Sequence, residues 1–472
     1  MNAQHEAIHL VEALPMMTLH EAATAVNGNL VGADAHFTGI STDSRKIAAG
    51  DFFIALRGEN FDGHRFVDAC LADGATAAMV CQESSIRNQV SEKPLLVVKD
   101  TRLALGRLAA YWRSKFAIPL AAITGSNGKT TVKEMLASIL AAEAGADNVM
   151  ATIGNLNNDI GLPLTLLRLR KNHRYAITEM GMNHAGEIDY MTHLAKPTVA
   201  LVNNAQAAHL EGLGSVDAIA SAKGEIFAGL AEDGIAVINA DDAYANYWKV
   251  LAGDHRIMTF GLNNGADVGA TFELQKTDSR LCLKSQLDEI QIQLQVPGLH
   301  NVRNALAAAT VAISMNISLP TIKAGLESFT GVKGRLQHKV GKGGSTIIDD
   351  SYNANPSSMR AAIDVLATSL EPRILVLGDM GELGEDAVKL HTEIGVYAKA
   401  AGITQLFAMG ELSQHTVQAF GTGATHFNSP QALAAMLESY LVPQTTVLVK
   451  GSRFMQMERV VALITNGNGG AH

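Results

Sequence analysis

Short apolar runs recur along this chain, spaced so that one amphipathic helix fits between each pair. "PLAAI" (119–123), "RYAITEM" (174–180), "TVALVNN" (198–204) and "GIAVINA" (234–240) read as buried strands. Helical patterns separate them, among them "TVKEMLASILAAE" (131–143) and "VDAIASAKGEIFAGLA" (216–231). Strand and helix in alternation predict a mostly parallel sheet covered on both faces. The stretch 273–298, "ELQKTDSRLCLKSQLDEIQIQLQVPG", departs from this rhythm. Its strict apolar–polar alternation predicts one or two antiparallel hairpins. After "FTGVKGRLQ" (329–337) the alternation restarts. Strands "STIIDD", "RILVLGD", "TQLFAMG" and "TTVLVKG" are interleaved with helices such as "SSMRAAIDVLATSL", predicting a second doubly wound sheet.

The first hundred residues have shorter periods. "GDFFIALRG" (50–58) alternates like a strand between the turn-rich loops "STDSRK" and "GENFDGHRF". "HRFVDACLADGATAAMVC" (64–81) reads as a helix followed by a strand, which suggests a small α/β module. A helix, "LALGRLAAYWRSKF" (103–116), then leads into the first central strand. The expectation is an α/β protein of three domains, 1–100, 101–333 and 334–472, matching about 150 residues each for a chain of 472.

Composition narrows the function classes. With 47% hydrophobic and 18% charged residues the chain has ample material for several cores. A net charge of −9 disfavours non-specific binding to nucleic acid, and no nucleic acid partner is expected. Local cations and helix N-termini can still hold an anionic substrate. Cys70, Cys81 and Cys282 follow no zinc or disulfide spacing and fit a reducing compartment. The opening "MNAQHEAIHLVEALPMM" lacks a basic start followed by a long apolar run, so no secretory signal is expected. No run approaches the roughly 18 apolar residues of a membrane span. A cytoplasmic protein is expected, and nothing calls for more than a monomer.

In open α/β sheets, ligands bind beyond the carboxyl ends of the strands. "TGSNGKTT" (124–131) follows the first central strand and opens a helix. The usual phosphate-loop spacing, G-x-x-x-x-G-K-[ST], would require a glycine at position 123. Ile123 stands there, and Gly125 comes two residues later. The chemistry is nevertheless that of a phosphate cradle. Glycines allow close approach of backbone N–H groups, Lys129 can reach the β/γ-phosphates, and the Thr130 hydroxyl can ligate Mg²⁺. Glu179 ends the next strand and reads either as a metal-holding carboxylate or as a solvated acid. His209, in "AQAAHLEGLGS", reads either as a ligand or as a structural histidine. Lys223 lies in a helical pattern, where a surface lysine is the plain reading. Asn301 and Asn304 open a helix and could cap it or read a purine edge. Arg335 falls at the proposed joint, and Asp350 and Lys450 end strands of the last domain.

Taken together these stretches resemble the Mur ligase family, the cytoplasmic ATP-dependent amide ligases of peptidoglycan precursor synthesis. That family's loop reads T-G-[ST]-N-G-K-[ST]-[ST], and "TGSNGKTT" matches it throughout. "NNAQAAHLEGLGS", "NADD", "GLHNVRNALAA" and "GRL" match further blocks in order, so the resemblance spans nearly the whole chain. "DDSYNANPSSMRAAI" and "LGDMGELGE" look like the member that adds D-alanyl-D-alanine. The member adding the third amino acid carries D-N-P-R instead, which is absent here. "STDSRKIAAGDFFIALRGENFDGHRFV" is similar to the UDP-sugar module those two members share.

The resemblance implies ATP and Mg²⁺ as cofactors, UDP-N-acetylmuramoyl-tripeptide and D-alanyl-D-alanine as substrates, and an acyl phosphate as intermediate. It implies a small UDP-sugar module, a central P-loop sheet with a small antiparallel part, and a Rossmann-like C-terminal domain that binds D-alanyl-D-alanine. Gly125, Ser126, Asn127, Gly128, Lys129, Thr130 and Thr131 would cradle the nucleotide. Asn301 and Asn304 would lie on the adenine side, Arg335 at a phosphate and Asp350 near the ribose. Thr130 and Glu179 would hold one Mg²⁺, and His209 would help to hold a second. Lys223 matches a position where a lysine is carbamylated by CO₂. Asn155, Asn157 and Asn158 match a loop near the sugar-peptide. Asn355, Ser357, Ser358 and Lys450 would lie on the substrate side, and Ser44, Arg45 and His64 at the UDP-sugar end. Folylpoly-γ-glutamate synthetase, the third-residue-adding ligase, a phosphate-loop switch or motor protein and a non-catalytic ATP-binding module are the rivals. A switch or motor would use the longer loop and would need no third doubly wound domain.

Overall fold

The computed structural model describes residues 15–82, 93–207, 210–263, 265–286 and 288–465. The chain divides into two compact units. The described residues up to Ala117 combine with Gly154–Lys171 in one, and Ile118–Ile153 combines with the chain from Asn172 onward in the other.

The first unit is built on a five-stranded sheet. Leu95–Val98, Ala77–Cys81, Asp51–Ile54 and Gly39–Ser41 run parallel, and Asn29–Val31 pairs antiparallel with Leu95–Val98 at one edge. Phe53, Val67, Cys70, Ala78, Val80 and Val97 are buried together in its core. Helix Thr101–Ser114 begins at Asp100, whose carboxylate accepts from the N–H groups of Arg102 (2.8 Å) and Leu103 (3.0 Å), an N-cap. Trp112 Nε1 on this helix donates to the Leu169 carbonyl at 3.1 Å. The helix expected to open the central region therefore packs with residues before it, and 154–171 joins the same unit.

The second unit carries two six-stranded sheets. In the first, all strands are parallel, in the order Arg256–Phe260, Ile235–Asn239, Val199–Val202, Leu120–Thr124, Tyr175–Glu179, Val149–Ala151. Leu120–Thr124 lies inside the sheet and is buried along its whole length, as parallel strands covered on both faces must be. The stretch expected to form hairpins is a three-stranded antiparallel sheet, Gly269–Leu274, Ser279–Lys284 and Glu289–Leu294.

The second six-stranded sheet runs Gln337–Val340, Thr346–Asp350, Thr446–Lys450, Arg373–Leu377, Gln405–Met409, Ala424–Phe427. Only its first strand is antiparallel. Side chains on its strands alternate between two cores. Leu375 and Leu377 join one cluster, Ile374 and Val376 the other, the mark of a sheet covered on both sides. Residues on both sides of position 333 belong to one compact unit. Among the described residues no helix is long and apolar enough to cross a membrane.

The helix that follows "TGSNGKTT", Lys129–Ala144, is fixed by helices Leu299–Ser314 and Leu319–Ser328. The approach is closest at Gly325, where a Cβ would lie 2.3 Å from the Cα of Ile139. A Gly325→Ala variant must push the two helix backbones apart. It should lower unfolding stability by about 1–3 kcal/mol, read as a reduced midpoint in urea or thermal denaturation.

Candidate active site

"TGSNGKTT" turns from strand Leu120–Thr124 into helix Lys129–Ala144, at the carboxyl edge of the parallel sheet. Gly128 has φ +80°, and a Cβ there would sit 2.3 Å from Asn304 Oδ1 and 2.7 Å from Asn203 Nδ2. Both the conformation and the space exclude a side chain. The N–H groups from Gly128 to Thr131 open the helix, where none has an intrahelical acceptor. They form the anion-facing end that the loop's glycines predict.

A neighbouring segment holds the loop in shape. Ser126 N–H donates to the Asn204 carbonyl (3.0 Å) and Asn127 N–H to Asn204 Oδ1 (2.9 Å). The Asn127 carbonyl accepts from Asn203 Nδ2 (2.9 Å) and Asn204 Nδ2 (3.1 Å), and Asn127 Nδ2 donates to Gln206 Oε1 (2.6 Å). Asn203, Asn204 and Gln206 are site residues that the sequence pattern does not single out. Their only advance signal is their place just after a strand.

Lys129 Nζ donates to the Gly125 carbonyl at 2.6 Å. Burial lowers its pKa and the Arg335 charge adds to this, while Glu179 and Glu382 pull the other way. Glu179 is 2% exposed and pairs in the sheet with Ile123, next to the loop. Its N–H donates to Thr152 Oγ1 (3.0 Å), and buried Lys133 donates to the Thr152 carbonyl (2.7 Å). Lys133 and Thr152, both missed from sequence, thus fix the strand end that presents Glu179. Lys223 is 1% exposed. Burial, and then the charge of Lys129, pushes its pKa well below that of an ordinary lysine. A surface lysine is therefore not what the structure contains. His209 lies outside the described residues.

Among the described residues no group of three or more His, Cys, Asp or Glu could form a metal cage. A hydroxyl on Thr130 and a buried carboxylate on Glu179 suit Mg²⁺, which takes few protein oxygens and keeps waters.

The second sheet of this unit meets the loop. Asn355 Nδ2 donates to Asn127 Oδ1 at 2.8 Å. Asn355 also caps helix Pro356–Ala367 in a reciprocal box with Ser358, at 2.9 and 3.0 Å. Arg335 donates from Nη2 to Thr130 Oγ1 at 3.2 Å, and its guanidinium stacks 4.4 Å above the Tyr352 ring. Asp350 Oδ2 accepts from Lys450 Nζ at 2.5 Å, and Asp350 Oδ1 accepts from Leu336 N–H at 3.2 Å. Burial raises the Asp350 pKa against the pull of Lys450, and burial lowers that of Lys450.

Two cavities flank this junction. One, of about 430 Å³, is bounded by the loop, Arg335, Asn355, Glu382, Arg453 and Phe454. The other, of about 600 Å³, is bounded by Gly128, Thr131, Asp241, Asn301, Asn304 and Ser357. Asn301 Nδ2 donates to the Pro297 carbonyl (2.8 Å), and Gly298 rather than either asparagine stands at the helix N-cap. Asn304 Oδ1 accepts from Asn203 Nδ2 at 3.3 Å.

The remaining expected residues belong to the first unit. His64 is committed at both ring nitrogens: Nδ1 lies 2.6 Å from Asp62 Oδ1, and Nε2 accepts from Cys81 N–H at 3.0 Å. Both nitrogens are thus engaged within the unit. Arg45 is exposed and forks onto Asp43 at 2.8 and 3.0 Å, beside Ser44 in the same turn. Asn158 Oδ1 accepts from Gly161 N–H at 2.8 Å, and Asn157 N–H donates to the Asn155 carbonyl at 2.7 Å.

Three family descriptions match the chain: "Mur ligase family, catalytic domain" over residues 36–113, "Mur ligase middle domain" over 123–312, and "Mur ligase, glutamate ligase domain" over 334–453. The chain is 43% identical to the UDP-N-acetylmuramoyl-tripeptide--D-alanyl-D-alanine ligase of Escherichia coli (strain K12), covering 96% of this chain and 99% of that one. Among solved structures it is similar to MurF from Acinetobacter baumannii, at 38% identity and TM-score 0.88, covering 95% of this chain and 99% of that one. It is also similar to MurF ligase from Thermotoga maritima in complex with ADP, at 26% identity and TM-score 0.80, covering 90% and 96%.

His300, at the wall of the larger cavity, supplies a pH test. Burial, reinforced by Lys450 and Arg303, lowers its pKa to about 4 from the ordinary 6.5. In the unfolded chain it takes up a proton at higher pH than in the folded one. Its share of stability is complete above pH 6.5 and is lost as pH falls towards 4. Urea unfolding of a His300→Asn variant between pH 7 and 4 should show a shallower loss of stability than the parent protein.

Proposed function

The chain belongs to the Mur ligase family, and from that premise we propose that it is an ATP-dependent ligase joining D-alanyl-D-alanine to the tripeptide carboxylate of UDP-N-acetylmuramoyl-tripeptide. The products are the UDP-linked pentapeptide, ADP and phosphate. The observation that carries the reading is the join at Asn127, where the nucleotide loop meets the helix of "NANPSSM" through Asn355. This supports a nucleotide phosphate and an acceptor amine being handled at one junction.

The first step brings two anions together, as the tripeptide carboxylate attacks the γ-phosphate of ATP. The residues around the smaller cavity suit that problem. Lys129, Arg335 and the helix N-terminus present positive charge to the transferring phosphoryl group. Thr130 and Glu179 would hold Mg²⁺, which when bound offsets phosphate charge. The amine of D-alanyl-D-alanine then attacks the acyl phosphate carbonyl, and phosphate leaves. Closing the cavity excludes water from that intermediate. Asp350 and Lys450, paired at the base, support the ribose and substrate sides. The adenine side is assigned to the larger cavity, with Asn301 and Asn304 on its wall. The UDP-sugar is assigned to the first unit, at the turn holding Ser44 and Arg45, and the sugar-peptide to the loop of Asn155, Asn157 and Asn158.

Lys223 supports a further part of the reading. Burial and the charge of Lys129 both disfavour the protonated Lys223 amine, and the unprotonated amine is the form that attacks CO₂; its carbamate would place a negative charge beside Lys129. Carbamylation would show as a carbamate carbon resonance in protein equilibrated with ¹³C-bicarbonate. Lys223→Ala should remove that resonance and lower turnover about 100-fold or more.

Phosphate release from ATP should require both UDP-N-acetylmuramoyl-tripeptide and D-alanyl-D-alanine, with pentapeptide as the product. Turnover with the UDP-muramoyl-dipeptide and a free amino acid instead would move the chain to the neighbouring family member.

A further inference from the structure

The segment "LGDMGELGE" (377–385) has no assigned task in this scheme, yet it reaches the smaller cavity. It leaves strand Arg373–Leu377 alongside "KGSRF" (450–454), which leaves the neighbouring parallel strand Thr446–Lys450. The two exits are stitched together. Gly378 N–H donates to the Lys450 carbonyl (2.8 Å), Ser452 N–H to the Asp379 carbonyl (3.0 Å), and Gly381 N–H to Ser452 Oγ (2.7 Å). Asp379, 6% exposed, accepts from Ser413 N–H (2.7 Å) and Leu412 N–H (3.2 Å), so the base of the segment is anchored.

Glu382 sits at the tip with φ +60°, a left-handed conformation that a glutamate rarely adopts. Its carbonyl accepts from Glu211 N–H at 3.2 Å, which fixes the tip against the short helix Leu210–Leu213. Strained backbone of this kind persists where the surroundings over-determine it, and it clusters at ligand sites. Glu382 is exposed and lines the cavity, and its charge raises the pKa of Lys129.

The cations around the cavity divide into two sets. Lys129, Arg335 and Lys450 are engaged at the phosphate end, with Gly125, Thr130 and Asp350 respectively. Arg453 stands apart. It is 62% exposed, and Nη1 is held by Glu458 at 2.8 Å, leaving guanidinium donors for a second carboxylate. Next to it the Phe454 ring, 63% exposed, lies over Gly381, where a Cβ would be 2.8 Å from Cε1. An acid, an arginine and an exposed aromatic ring thus share one cavity wall.

We propose that Glu382 and Arg453 read the two ends of the zwitterionic acceptor dipeptide, Glu382 receiving its ammonium group and Arg453 its terminal carboxylate, with Phe454 as the apolar wall beside the methyl groups. This rests on the reading that the acceptor is D-alanyl-D-alanine. A dipeptide spans about 7 Å in extended form, so its two charges need two separate partners. An arginine matches a carboxylate by paired donors.

The test is steady-state kinetics on the full chain with each substrate varied in turn. Absence of D-alanyl-D-alanine-dependent turnover in the parent enzyme would overturn the proposed function itself. Given that turnover, Glu382→Gln and Arg453→Met should each raise the KM for D-alanyl-D-alanine about tenfold or more. The KM values for ATP and UDP-N-acetylmuramoyl-tripeptide should stay within about twofold. With D-alanyl-D-alaninamide, which lacks the carboxylate, Arg453→Met should cost nothing further, while Glu382→Gln should still be impaired. An unchanged dipeptide KM, or equal losses for all three substrates, would overturn the assignment. If Glu382→Gln fails to fold, the Arg453 comparison of acid and amide decides alone.

Discussion

Asn127 spends every hydrogen-bonding group it has on holding two sheets to one loop. Its N–H and carbonyl bind Asn203 and Asn204, its side-chain nitrogen binds Gln206, and its side-chain oxygen binds Asn355. The bonds to Asn203, Asn204 and Gln206 set the shape of the phosphate cradle from within the parallel sheet. The bond to Asn355 ties that cradle to the cap of helix Pro356–Ala367. A loop preformed in this way pays little ordering entropy when an anion arrives. No aspartate could substitute, because the residue must donate and accept at the same time.

Charge is the second organising element. Lys129, Lys223, Arg335 and Lys450 converge near the junction, and burial lowers the pKa of all three lysines. Such a concentration of cations is unfavourable in an empty protein, and the structure offsets it in different ways. Lys450 has Asp350, and Lys129 leans on its own loop carbonyl and feels Glu179 and Glu382. Arg335 takes the Thr130 hydroxyl and the face of Tyr352. A polyphosphate would offer these cations acceptor oxygens in place of their present partners, exchanging contacts of the same kind rather than creating them from solvent.

The parallel sheets were legible because fully buried strands write continuous apolar runs, and "TGSNGKTT" was legible because its glycines and lysine have fixed spacing. The antiparallel strands at 269–294 announced themselves by period-two alternation. The edge strand Gln337–Val340 did not, since a short polar edge carries no apolar rhythm. Positions that depend on pairing across the fold were also hidden. The engagement of both His64 nitrogens by Asp62 and Cys81 depends on such pairing. Lys223 looked like a surface residue because its helix has only a weak apolar face, whereas the packed layers bury it. Asn203 and Thr152 act by orienting other residues, and orientation leaves no mark in a local pattern. Glu382 sat inside a quoted motif, but its left-handed backbone is a property of the folded turn alone.

The two cavities share part of their walls: Asn127, Gly128, Arg335, Ser358 and Lys450 border both. An inhibitor that occupied both would pass over Gly128, where no larger residue fits, and over Asn127, whose bonds admit no simple replacement. Escape by substitution at that crossing would have to sacrifice the loop itself. At Gly128 and Asn127 the shared wall therefore has little freedom to change under selection by a drug.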